Sequence, residues 1–178
     1  SIAAYAYERP DDPMPAIVTT GPHVSGDALR HPLVRGCVAN SVELGDPVRV
    51  LMISGSNMSG KSTLLRTLGV NVVLALAGGP VIATRMKVPR VRVRASMRIA
   101  DSLQSGASYF QAELSRLRIV VEEAESEPPI LFLLDELLRG TNARARSQGA
   151  RAIVEHLLAR RALGLVATHD IALADLAD

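Results

Sequence analysis

The sequence predicts an α/β fold, a mostly parallel sheet flanked by helices and preceded by a small N-terminal β-rich portion. Three observations carry this. From Pro47 onward, apolar runs of strand length alternate with segments of helical periodicity. The run Ile130-Leu131-Phe132-Leu133-Leu134 is continuously apolar, as suits a strand covered on both faces of a parallel sheet. The strand ending at Ser54 leads through a glycine-bearing loop directly into a helix. At 178 residues the chain can bury one sizeable core. The expected organisation is a β-rich portion over residues 1–46 and a single α/β core over 47–178.

The elements follow in order. Residues 1 to about 30, rich in Pro, Gly and Asp, read as peripheral short strands and turns, with a β-like run Ala16-Ile17-Val18-Thr19-Thr20. Pro47 to Ser54 is the first core strand. Lys61 to about Ala77 places Leu64, Leu65, Leu68, Val72 and Ala75 or Leu76 at helical spacing and stops at Gly78-Gly79-Pro80. Val81-Ile82-Ala83 begins a second strand, and Met86 to Ile99 reads as a strand with one face in water, because Val91-Arg92-Val93-Arg94 alternates. Ser108 to about Glu125 is a long amphipathic helix ended by Glu127-Pro128-Pro129. After the apolar run come Asp135-Glu136, a helix from about Ala143 to Arg160, a strand Leu163 to Ala167, then Thr168-His169-Asp170 and a further helical start.

Composition excludes several classes. Hydrophobic residues at 48% and charged residues at 21% describe a globular chain. Aromatics are only 3% and Trp is absent, which argues against a base-stacking nucleic-acid platform. The formal charge of +2 gives no strong preference for polyanions. Arg85, Lys87, Arg90, Arg92, Arg94 and Arg98 form the densest basic cluster, read first as a solvated face and second as a contact for nucleic acid or an acidic partner. The lone Cys37 excludes an internal disulfide and a cysteine-based zinc site, and fits a reducing, cytoplasmic setting. Val70 to Ala83 is broken by Gly78-Gly79-Pro80 and falls short of the roughly 18 apolar residues a spanning helix needs. The opening at Ser1 shows no leader pattern, and the stop at Asp178 within a helical pattern reads as an excised piece of a longer protein.

The chemistry concentrates in two motifs. Gly55-Ser56-Asn57-Met58-Ser59-Gly60-Lys61-Ser62-Thr63 is a complete G-x-x-x-x-G-K-[ST] loop between a strand and a helix. Polyphosphate needs donors converging at close range, and glycine lets backbone N–H groups turn inward without a Cβ in the way. Lys61 would reach the β- and γ-phosphates, Ser62 would offer its hydroxyl to Mg²⁺, and the helix N-terminus adds its positive end. The second motif is Asp135-Glu136 at a strand end. Asp135 would hold Mg²⁺ directly or through water, and Glu136 would orient or deprotonate the attacking water. His169, at another strand end, is the candidate γ-phosphate contact. Together these imply binding and hydrolysis of a nucleoside triphosphate.

In these motifs, together with Arg30-His31-Pro32-Leu33, Val38-Ala39-Asn40, the stretch Asp101 to Glu113, Leu134 to Asn142 and Ala167-Thr168-His169, the chain resembles the ATPase domain of the MutS family, in the ABC-type branch of P-loop ATPases. The resemblance implies an ABC-ATPase-like fold, with the β-rich portion packed on the nucleotide side, and an ATP- and Mg²⁺-dependent hydrolase. It implies homodimerisation through composite sites, where Ser105, Gly106 and Ser108 of one subunit face the γ-phosphate held by the other. Asn57 would join the phosphate shell and Val38 would lie near the adenine. DNA would be handled by regions outside this chain, in mismatch repair or recombination. Other readings are a chromosome-maintenance or transport ATPase of the same superfamily, or a small-molecule P-loop kinase. The helix through Phe110 and Glu113 also carries a capping-box pattern. The chain departs from the family pattern at Cys37, Ser56, Ser59, Tyr109 and Leu138, the last in place of a glycine.

Overall fold

The computed structural model describes residues 7–8, 15–18, 21–56, 58–97 and 106–169, the side chains at 16, 18 and 106–109 excepted. Among these residues the order is β1 (Ala16–Val18), β2 (Val24–Leu29), β3 (Asn40–Leu44), β4 (Val50–Ser54), α1 (Lys61–Leu76), β5 (Arg85–Pro89) and β6 (Arg92–Ser96). It continues with α2 (Gly106–Glu123), β7 (Ile130–Asp135), α3 (Ala143–Ala159) and β8 (Leu163–Thr168). β4-β8-β7-β6 form one sheet in which every pairing is parallel, as the apolar run at 130–134 led us to expect. β1-β5-β2-β3 form a second, mixed sheet. Arg98, the helical start after His169 and much of the first 20 residues lie outside the described residues.

Period-two alternation explains why β7 carries no polar residue before Asp135. Leu131 and Leu133 point into a core shared with α1 and the mixed sheet, whereas Ile130, Phe132 and Leu134 point into a second core with α2 and α3. β8 does the same with Leu163, Leu165 and Ala167 on one side and Val166 on the other. Gly164 lies opposite Phe132 in the ladder, and a Cβ there would run into the buried Phe132 ring.

The helices obey their sequence signals. α1 buries Leu65, Leu68, Val72 and Ala75 on one face. It ends at Gly78, whose φ of 74° is the left-handed closing conformation that glycine adopts without a Cβ penalty. α3 is capped by Asn142, whose side chain accepts a 2.9 Å bond from the Ala145 N–H.

Four expectations are corrected. Val81-Ile82-Ala83 is buried but unpaired in either sheet, because the Ile82 N–H donates to Asn71 Oδ1 at 2.8 Å and its carbonyl accepts from the Arg30 N–H at 2.9 Å. The stretch from Met86 to Ile99 is two strands in different sheets, divided at Pro89-Arg90-Val91. Arg92 and Arg94 do not form a solvated face. Arg92 donates to the carbonyls of Glu123, Ser126 and Pro128 at 2.7 to 3.0 Å, closing the C-terminal end of α2, and both arginines pair with the Glu123 carboxylate. Finally, β2, within the stretch to about residue 30 that reads as peripheral, is not peripheral, since Val24 and Leu29 are wholly buried in the core. β3 was not anticipated, its alternation resting only on Val42 and Leu44.

Candidate functional site

The carboxyl ends of three adjacent strands define the site. Ser54 of β4 pairs with Thr168 of β8, and Asp135 of β7 pairs with Ala167 of β8. The segments that follow, the loop to Lys61, Glu136 and His169, therefore leave the sheet along one edge, where open α/β sheets bind ligands.

The loop between β4 and α1 is exposed at Gly55, Ser56, Met58, Ser59 and Gly60. Gly60 precedes α1 with a φ of 90°, and no side chain caps the helix, so its first N–H groups have no side-chain acceptor and face the loop with the positive end of the helix dipole. Lys61 is buried, and its Nζ donates to the carbonyls of Gly55 and Ser56 at 2.7 Å each. The ammonium thus sits inside the loop on acceptors that an anionic oxygen could replace. Thr63 is half-buried in the first turn of α1, and its carbonyl accepts from Thr67 Oγ1 at 2.8 Å.

Ser62 Oγ donates to Asp135 Oδ2 at 2.6 Å. The second oxygen, Asp135 Oδ1, is buried with no hydrogen-bond partner. A buried carboxylate oxygen without a donor is costly, and a hydroxyl beside it completes a hard-oxygen pair of the kind that holds Mg²⁺. Among the described residues no group of three or more His, Cys, Asp or Glu forms a metal cage.

Glu136 follows in a left-handed conformation, φ 53°, with its N–H bonded to the Ala167 carbonyl at 2.9 Å. Its carboxylate is mostly enclosed and contacts Arg139 on one side and His169 Nε2 at 2.5 Å on the other. Leu138 is also left-handed, φ 58°. This accounts for the position where the family pattern has glycine. Here the leucine side chain is buried and compensates for the backbone.

The structure thus brings Lys61, Ser62, Asp135, Glu136 and His169 to one sheet edge. Val38 is not among them: its carbonyl accepts from Asn40 Nδ2 at 3.0 Å, within its own segment. It is 77% exposed on the segment between β2 and β3, following a depression of about 600 Å³ lined by Arg30 to Cys37 and Ile82. Asn71 ties that segment to α1 by donating to the Arg30 carbonyl at 3.0 Å. Asn57 and Ser105 lie outside the described residues. Gly106 and Ser108 lie in the first turn of α2, with their side chains not described.

Two residues escaped the sequence reading. Arg139 lies within the Leu134–Asn142 stretch and had no assigned role, although its spacing of three from Glu136 is visible in the sequence. The capping-box reading of Glu113 is corrected: it lies well inside α2, and its carboxylate is buried against Leu138.

A family description, MutS domain V, matches residues 51–178. The chain is 42% identical over 140 residues to an "Endonuclease MutS2" of Thermus thermophilus, covering 78% of this chain and 18% of the relative. It is 39% identical over 174 residues to a "DNA mismatch repair protein MutS 2" of Halobacterium salinarum, covering 94% and 19%. With a "DNA mismatch repair protein MSH6" of Arabidopsis thaliana it shares 33% over 159 residues, covering 83% and 12%. The chain therefore spans less than a fifth of the length of these relatives. With most of its length matched and its strand-edge motifs in the family order, the chain belongs to the MutS domain V family.

Proposed function

We propose that this chain is a P-loop NTPase domain that binds and hydrolyses ATP with Mg²⁺ in the cytoplasm, driving DNA-handling parts of a MutS-like protein through a nucleotide-dependent homodimer. The observation that carries this reading is the 2.6 Å bond between Ser62 and Asp135, with Asp135 Oδ1 unpartnered beside Lys61's helix. It joins the phosphate loop to the acidic strand end at the spot where a triphosphate and its cation need both. The names of the relatives, mismatch repair and MutS2, support the DNA connection.

Bound magnesium would neutralise charge on the β- and γ-phosphate oxygens. Ser62 and Asp135 would hold it. Gly55 to Thr63, including Ser56, Asn57, Met58 and Ser59, wrap the phosphates with backbone N–H groups, and Lys61 exchanges its two carbonyl acceptors for phosphate oxygens. Glu136 orients the attacking water, and His169 contacts the γ-phosphate from the neighbouring strand. Arg139 and His169 hold the Glu136 carboxylate before substrate arrives. Val38 borders the adenine, and Ser105, Gly106 and Ser108 serve the site of the twin subunit.

Nucleotide binding and steady-state hydrolysis test this. Lys61→Ala removes the charge at the β- and γ-phosphates and should weaken ATP binding at least about 100-fold. Glu136→Gln should keep binding while hydrolysis falls about 100-fold or more. Wild-type turnover in Lys61→Ala overturns the assignment.

A further inference from the structure

We infer that Glu113 is a positioning residue for Glu136, fixing from α2 the turn on which the acidic pair stands. The inference rests on the hydrolytic reading of Glu136 above. Glu113 is only 5% exposed, and its Oε1 accepts a 2.7 Å bond from the Leu138 N–H across 25 positions of sequence. Its Oε2 is buried with no hydrogen-bond partner. A site that needed only packing would be filled more favourably by an apolar side chain, since a half-satisfied buried carboxyl is expensive. The oxygen therefore serves the turn.

The turn needs it. Glu136 and Leu138 both hold positive φ, 53° and 58°, without being glycine. Such conformations persist only where surroundings over-determine them. Two bonds do so here: Glu136 N–H to the Ala167 carbonyl at 2.9 Å, and Leu138 N–H to Glu113. Phe110, one helical turn before Glu113, packs so closely on Gly140 that a Cβ there would lie 2.7 Å from its ring. α2 thus grips the turn on both sides of Arg139. Without the Glu113 acceptor, the Leu138 N–H loses its bond, the turn is held from α2 by the Phe110–Gly140 packing alone, and the backbone that aims the Glu136 carboxylate at its Arg139 and His169 contacts loosens.

The test compares Glu113→Met, which keeps the side-chain length but has no comparable acceptor, with Glu113→Gln, which keeps the oxygen. In Glu113→Met we expect kcat to fall at least about 10-fold, as a misaimed base costs. KM should stay within about 2-fold, and Glu113→Gln within about 3-fold of wild type on both constants. Amide exchange at Leu138 should be at least about 10-fold faster in the Met variant than in wild type or the Gln variant. Should Glu113→Met not fold, Glu113→Asp, which draws the acceptor back by one methylene, carries the test with the same kcat-only loss. Wild-type kcat in a folded Met or Asp variant overturns the inference, as does a Gln variant as slow as the Met variant. A wild-type protein that turns over ATP no faster than Lys61→Ala instead overturns the hydrolytic reading, and this inference with it.

Discussion

Leu138 opposes two energies that can be weighed. Its φ of 58° costs a non-glycine residue about 1 kcal/mol, while its buried side chain stabilises by about 2–4 kcal/mol relative to a truncated one. Packing wins, so Leu138→Gly should destabilise the fold by about 1–3 kcal/mol. Leu138→Ala loses the side chain and keeps the strain, so it should be less stable than the glycine variant by about 1 kcal/mol. Urea unfolding of both decides, and an alanine variant equal to the glycine one would mean that the turn relaxes. At this scale the placement of the Gly55–Lys61 loop and of Asp135-Glu136 at neighbouring strand ends was legible, because it lies in covalent spacing. Glu113 was not. Its partner is a backbone N–H on a turn 25 positions away, and no local pattern records that pairing.

Among the elements, α2 and α3 are joined at their ends by a charge pair. Arg160 donates to the Glu125 carboxylate at 2.5 and 2.7 Å, and this hydrogen bonding, with the arginine's charge, holds the Glu125 carboxyl below the usual carboxylate range. A lowered folded-state value means that the stabilisation is complete above the ordinary carboxylate range and is lost as pH falls through the lowered one. The pair is exposed, so the effect is small and screened by salt. Glu125→Gln should therefore be slightly less stable than wild type at neutral pH and equal to it in acid. Thermal melts across that range check this, and a difference that persists in acid counts against it. Legibility at this scale followed burial. β7 announced itself because both its faces are covered, and α1 because one face is. The break between β5 and β6 was written in the phase of the valines, Val88 to Val91 being three apart, but continued alternation on either side concealed it. Arg92 and Arg94 misled because an arginine that ties a helix end through its carbonyls or its last carboxylate looks, in sequence, like one that faces water.

For the whole molecule, the proposed composite site predicts association that depends on nucleotide. Glu136→Gln with ATP and Mg²⁺ should sediment as a dimer at concentrations where the nucleotide-free protein is monomeric, because binding without turnover holds the closed state. Monomer alone under those conditions would count against the twin-subunit role of Ser105, Gly106 and Ser108. No helix among the described residues is long and apolar enough to cross a membrane. The order of strands carries one more consequence. β5 lies between β1 and β2, yet it follows α1 in the chain. A truncation beginning at residue 47 would strip both neighbours at once, leaving a ribbon with bare amides on each rim and with Met86 and Val88 uncovered. Such a ribbon seeks other chains, so the shortened protein should precipitate on expression where the longer one stays in solution.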